Sequence, residues 1–260
     1  MRLQFYDIIP ALQPYVKSVC SMDCDEEADT RYIRVLPDAC VEIFVNYTTT
    51  PVAIIEGELH KQSIVTFRMS QARDVQMRKG SGCLAVCFYP GKAYPFFRIP
   101  MHVVTDTTTD LCDLWRDGEM KIEEVLANAR DNGARADFLQ RHLVQLLARH
   151  QGDLHLEYCL KQVEDSGGLL TVAELADRSG WSQRHLSRKF QQYLGLSPKE
   201  YLRVNRFLRS LSHLKKHPSW SLTALAYESG YYDQAHFNRD YKEYTGCSPG
   251  ELIQANYFLY

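Results

Sequence analysis

The chain has 260 residues, enough for two domains that each bury a core. Apolar residues at 45% and charged residues at 24% exclude an extensively disordered chain, and no apolar run reaches the length of a membrane-spanning helix. The net charge of −2 divides unevenly: residues 1–153 carry 17 Lys and Arg against 21 Asp and Glu (net −4), residues 154–260 carry 13 against 11 (net +2).

The first ten residues lack the apolar stretch of a secretory signal, so a cytoplasmic location is expected. Eight cysteines lie scattered at 20, 24, 40, 83, 87, 112, 159 and 247. Two C-x-x-x-C spacings occur, but no histidine pair completes four zinc ligands. The cysteines therefore read as reduced thiols used as small apolar residues, with no metal and no cofactor expected.

In chain order, residues 1–110 read as strands and turns. Tyr32–Leu36, Val41–Tyr47, Val52–Ile55, Ser63–Phe67 and Gly82–Tyr89 are short, rich in β-branched and aromatic residues, and separated by proline and glycine. Such spacing predicts a small barrel or a sandwich. Arg34, Asp38, Glu42, His60 and Arg68 are candidates for the polar lining of a ligand pocket. Arg34 and Asp38 equally suit a structural ion pair, and an isolated histidine is more often a packing residue. A phosphate loop, a nucleophile elbow and metal-spaced histidines are all missing from the sequence, so no catalytic residues are assigned and an enzyme is not expected.

Residues 111–153 read as a helical linker with two helices, Glu119–Asn132 and Ala136–His150. The second carries an apolar stripe of Phe138, Leu139, His142, Leu143, Leu146 and Leu147. It would either bury against the strands or form a dimer seam, with a slight preference for the seam.

Residues 154–260 contain an internal repeat. Thr171-Val-Ala-Glu-Leu-Ala-Asp-Arg-Ser-Gly180 recurs as Ser221-Leu-Thr-Ala-Leu-Ala-Tyr-Glu-Ser-Gly230. Leu186-Ser-Arg-Lys-Phe190 recurs as Phe237-Asn-Arg-Asp-Tyr241, and Tyr193-Leu-Gly-Leu-Ser-Pro198 as Tyr244-Thr-Gly-Cys-Ser-Pro249. Each copy predicts a short helix, a glycine turn and a longer helix, over about 171–194 and 221–245. Thr171 with Glu174 forms a capping box, and Ser182 and Asp233 are the next N-caps. Ser197-Pro-Lys-Glu200 starts a linker helix over 198–216, on which Arg203, Arg206 and Arg209 lie three apart on one face, with Arg203 and Arg206 better placed for general attraction to phosphate.

A helix, a tight turn and a second helix make the helix-turn-helix shape, whose second helix enters the ~12 Å wide major groove. One such polar helix is commonplace on a bundle surface; two copies in register with the same turn glycine and caps favour DNA. The segment from about Leu154 to Ile253 resembles the DNA-binding domain of the AraC/XylS family of bacterial transcription regulators. The resemblance rests on Leu175-Ala176, Ser179-Gly180-Trp181-Ser182, Leu186-Ser-Arg-Lys-Phe190, Gly195-Leu-Ser-Pro198 and their second-copy counterparts. It implies an all-α domain of seven helices and DNA contacts at Gln183, Arg184, Ser187, Arg188, Gln234, His236, Asn238 and Arg239. Leu252-Ile253 stand where the family has an aromatic residue and an arginine, so the phosphate contact made there is not carried over.

The order of Arg34-Val-Leu-Pro-Asp38 and Val86-Cys-Phe-Tyr-Pro-Gly91 is similar to an amino-terminal domain of some members, implying a cupin-like barrel with a sensory or dimerising role; from the residues themselves, Arg34, Asp38, His60 and Arg68 are the ligand-binding candidates. The implied function is a sequence-specific transcription regulator. The expected partner is double-stranded DNA, with RNA polymerase, a small-molecule effector and a second copy of the chain as further candidates and no membrane. The alternatives are an enzyme with a DNA-binding appendage and an adaptor whose motifs no longer bind DNA.

Overall fold

The computed structural model describes residues 1–24, 28–30, 32–115, 122–147 and 152–254. Ten strands make two antiparallel sheets. Sheet A runs β1 (Arg2–Phe5), β2 (Val16–Asp23), β9 (Gly82–Phe88), β4 (Val41–Asn46), β7 (Ile64–Thr66), β10 (Thr108–Asp110). Sheet B runs β3 (Ile33–Val35), β8 (Arg73–Met77), β5 (Ala53–Ile55), β6 (Glu58–His60).

The expected barrel is not closed. Among the described residues no ladder joins the edges of one sheet to those of the other, so the two sheets face each other as a sandwich. Short alternating strands carry the same pattern in either architecture; only the pairing of the edges distinguishes them.

Alternation gives sheet A two different faces. Val41, Ile43 and Val45 of β4 and Leu84, Val86 and Phe88 of β9 enter one core. Onto that face pack α1 (Tyr94–Phe97), α2 (Leu111–Leu114), α3 (Ile122–Ala127) and α4 (Asn132–Leu147). The start of the predicted helix Glu119–Asn132 and the end of Ala136–His150 lie outside the described residues. The preference for a dimer seam is overturned within this chain: Leu139 and Leu143 are fully buried, with Phe138, Leu146 and Leu147 packed beside them. Buried Gln140 fixes the helix further, donating to the Asp7 carbonyl (3.1 Å) and accepting from the Ile9 amide (2.9 Å).

Seven helices follow among the described residues: α5 (Leu154–Asp165), α6 (Val172–Ser179), α7 (Gln183–Leu194), α8 (Pro198–Lys216), α9 (Leu222–Glu228), α10 (Gln234–Thr245) and α11 (Pro249–Gln254). The expected caps form. Thr171 and Ser197 close capping boxes with Glu174 and Glu200, and Ser182, Ser221 and Asp233 each accept from a backbone amide of the first turn. Gly180 takes φ +67° and leaves open space where a Cβ would be, so the backbone conformation alone demands glycine there.

Each α8 arginine has a contact within the fold. Arg203 bonds Asp240 Oδ1 through Nε (2.9 Å) and Nη2 (2.7 Å) and also reaches Glu243, while Arg206 lies over the Tyr231 ring at 4.9 Å. Arg209 donates to the Ser166 and Glu228 carbonyls. These cations hold α8 to its neighbours instead of forming a free basic face.

The two halves touch extensively. Thr105 Oγ donates to the Gly195 carbonyl (3.3 Å), the Tyr94 and Tyr193 rings stand 4.5 Å apart, Lys92 pairs with Glu157 at 2.6 Å, and the Ala72 amide donates to the Tyr244 carbonyl (3.0 Å). Gly195, at φ +72°, lets α7 end against Met101 and Thr105, where an added Cβ would meet Thr105 Oγ at 2.5 Å.

Asp240 is fully buried, so removing its cation leaves a carboxylate stranded in the helical core. Arg203→Ala should lower stability by about 3 kcal/mol in urea unfolding. A loss below about 1 kcal/mol would show that the pair is dispensable.

Candidate nucleic-acid interface and inter-sheet cavity

The second helix of each motif presents its polar side outward because its apolar residues, four apart, are taken by the core. Leu186 and Phe190 of α7, and Phe237 and Tyr241 of α10, are fully buried. On α7, Gln183, Arg184 and Arg188 are exposed and Ser187 is partly exposed. Arg188 Nη2 sits 3.2 Å from His185 Nδ1, whose ring packs on Trp181, so this arginine is held from behind by an aromatic pair.

On α10, Arg239 is exposed while Gln234, His236 and Asn238 are partly buried. The Thr223 hydroxyl of α9 donates to Gln234 Oε1 at 2.7 Å, which orients the amide across the turn. His236 stands edge-on to Tyr231 and 3.9 Å from Asp240, tying it to the helix packing more than to the outer face. All eight sequence candidates therefore lie on the two second helices, with the most accessible polar groups on α7. Thr223 and His185 were missed, because their value lies in contacts across the fold.

Residues 175–255 match the family described as "Helix-turn-helix domain". The carboxy-terminal part of the chain is a helix-turn-helix domain. Residues 6–110 match a second family, described as a domain of unknown function (DUF6597). The HTH-type transcriptional activator RhaS of Escherichia fergusonii is 32% identical over 103 residues, 39% of this chain and 37% of that protein. An uncharacterised HTH-type transcriptional regulator of Haemophilus influenzae is 32% identical over 113 residues, 44% of this chain and 32% of that protein. The matches thus span about a third of the length of these curated relatives. Among solved structures, ToxT of Vibrio cholerae aligns over 98% of both chains with 14% identity and a TM-score of 0.46.

Outside the helix-turn-helix domain, a cavity of about 330 Å³ lies between the two sheets. Its walls are the faces of the strands that point away from the helices: Cys20, Glu42, Phe44, Ala85 and Cys87 from sheet A, and Ile33, Val35, Val75 and Met77 from sheet B. Of the four residues expected in a pocket, only Asp38 lines it. Arg34 alternates away from Ile33 and Val35 and pairs with Asp74 through two 2.9 Å bonds, rather than with Asp38. His60 is buried on the sheet B strand β6, outside the cavity wall. Arg68 is buried near Asp106, Glu200 and Tyr244, at the contact between the halves.

Glu42 was a sequence candidate and does line the cavity; Lys17 was not foreseen. Lys17 Nζ lies 3.7 Å from Asp38 Oδ2. Burial, then the nearby Asp38 charge, push the Glu42 carboxyl up to about 7, against partial relief from Lys17 and a hydrogen bond with the Cys87 thiol. Burial also raises the Cys20 thiol to about 11, and all eight cysteines are free thiols.

A carboxyl raised in the folded state binds its proton more tightly there than in the unfolded chain. Its contribution is complete below the ordinary value and is lost as pH rises toward 7. Glu42→Gln should therefore gain on the parent by at most about 3 kcal/mol at pH 8 and by little at pH 4.5. Thermal unfolding at both pH values measures this; an equal effect at the two would refute the assignment.

Proposed function

We propose that the chain is a sequence-specific DNA-binding transcription regulator of bacterial type, acting in the cytoplasm, whose amino-terminal half adjusts its grip on DNA in response to a small ligand. We read it as a binding protein rather than an enzyme. The observation that carries the reading is the pair of capped helix-turn-helix motifs joined by α8, each with a polar second helix facing outward. The curated relatives, described as HTH-type transcriptional activators or regulators, support it.

Gln183, Arg184, Ser187 and Arg188 form one contact set, and Gln234, His236, Asn238 and Arg239 the other. Arginine suits guanine, and glutamine or asparagine suits adenine, in the major groove. The domain has little net positive charge, and Arg203 is already paired. Base contacts and a few phosphate contacts from α7 therefore supply most of the binding, with a shallow salt dependence.

Ligand control has a physical route in the segment 36–40. Leu36, Asp38 and Cys40 line the cavity, while Leu36 and Ala39 are buried in the carboxy-terminal helical core. Ala39 takes φ +66°, a conformation that costs energy outside glycine and persists only where packing on both sides imposes it. A ligand that displaces this segment changes how the helical half is held and shifts the population able to bind DNA.

Selection from a random duplex pool with the full chain, followed by footprinting, tests the reading. Two protected major-groove segments about one helical turn (~34 Å) apart are expected. Protection of one groove only would sink the bipartite reading, and no enrichment at all would sink DNA recognition. On the selected site, Gln234→Ala should cost ~1–3 kcal/mol at one base pair and little on variants altered there. An equal loss on every single-base variant would show that Gln234 does not read a base.

A further inference from the structure

The ligand reading above leaves open what chemistry the cavity accepts, and the walls constrain it. Most of the surface is aliphatic or aromatic, so the body of a ligand must be apolar. Small side chains make the space: on β9 the cavity side carries Ala85 and Cys87, whereas the opposite side carries Leu84, Val86 and Phe88.

The polar groups gather at one end. Lys17 and Ser18 of β2, Asp38 and Cys40 of the 36–40 segment, Glu42 of β4 and Cys87 of β9 meet there. Among the described residues lining this end, two carboxyl groups face a single ammonium, and that ammonium lies against Asp38. The remaining charged wall residue, Arg73 of sheet B, donates its guanidinium to the Asp106 carbonyl. Glu42 is thus a carboxyl in an apolar wall without a full cationic partner of its own.

Resting on the proposed ligand control, we infer that the cavity is a binding site for an apolar amine, with the ammonium seated between Glu42 and Asp38 and the hydrocarbon body lying against Ile33, Val35 and Val75 of sheet B. A ligand ammonium supplies the missing positive charge and keeps Glu42 ionised. A ligand carboxylate at the same end would add a third negative group beside one lysine. The raised Glu42 carboxyl gives the binding a pH signature. The groups facing it are Lys17, Asp38, Cys20, Cys40 and Cys87, and the Cys20 and Cys40 thiols are themselves raised. The amine stays protonated throughout, so its affinity rises with pH as the binding-competent, ionised fraction of Glu42 grows, about tenfold from pH 6 to pH 8.

The test uses the full chain without DNA, so its outcome does not depend on the DNA-binding reading. Isothermal titration compares 4-phenylbutylamine, 4-phenylbutanol and 4-phenylbutyrate, which share one apolar body. At pH 8 the amine should bind at least tenfold more tightly than the other two, and its advantage over the alcohol should shrink toward pH 6. Glu42→Gln should abolish both the amine preference and its pH dependence while alcohol binding persists, which also shows that the variant is folded. The inference is overturned if the carboxylate binds as tightly as the amine, if none of the three binds at millimolar concentration, or if the variant keeps the preference. A separate arm adds the amine to the protein bound to its selected duplex. Amine binding with unchanged DNA affinity would keep the ligand assignment and reject the control of DNA binding through segment 36–40.

Discussion

Both faces of the central strands of sheet A, β4 and β9, are covered, and the rest of the molecule depends on that constraint. A strand exposes successive side chains to opposite sides, so β4 and β9 must satisfy two environments at once. Their large residues, Ile43, Val86 and Phe88 among them, face the helices and exclude water from a dense core. Their smaller and more polar residues face sheet B and leave a cavity. The same strands thus place a rigid support behind the cavity and a soft, chemically selective wall in front of it.

The second organising contact lies in the helical half, where buried Asp240 receives Arg203 of α8 and fixes α10 against the linker helix. A buried ion pair adds little net stability compared with apolar packing, but it is intolerant of alternatives. Here it sets the rotation of α10, and with it which residues of that helix face outward. Gln234, His236 and Asn238 are drawn partly inward, leaving Arg239 as its most exposed polar group. The α7 motif has its own pair at the matching position, Lys189 with Asp153 at 2.6 Å, and shows more of its polar face.

These systems meet at segment 36–40 and at Gly195. The first touches the cavity and the helical core at once; the second allows the end of α7 to close on Met101 and Thr105. A small displacement in the sandwich therefore has a direct mechanical path to the helices, which is the path the proposed ligand control would use.

Sequence alone determined the helical half almost completely. Caps, turn glycines and the i, i+4 apolar pairs act within one or two turns, so Thr171, Gly180, Ser197 and Asp233 declare their roles locally. It determined the sandwich less well. Strands such as Val41–Asn46 and Gly82–Phe88 stood out by composition, but Arg73–Met77 is polar and half-buried, and Val16–Asp23 is interrupted by a bulge that breaks its alternation. Only the tertiary structure decided which charges meet: Arg34 with Asp74 rather than Asp38, Lys17 with Asp38, and Arg203 with Asp240. Those pairs join residues from 21 to 40 positions apart, and the choice among similar partners depends on strand order and helix rotation, which no local pattern encodes.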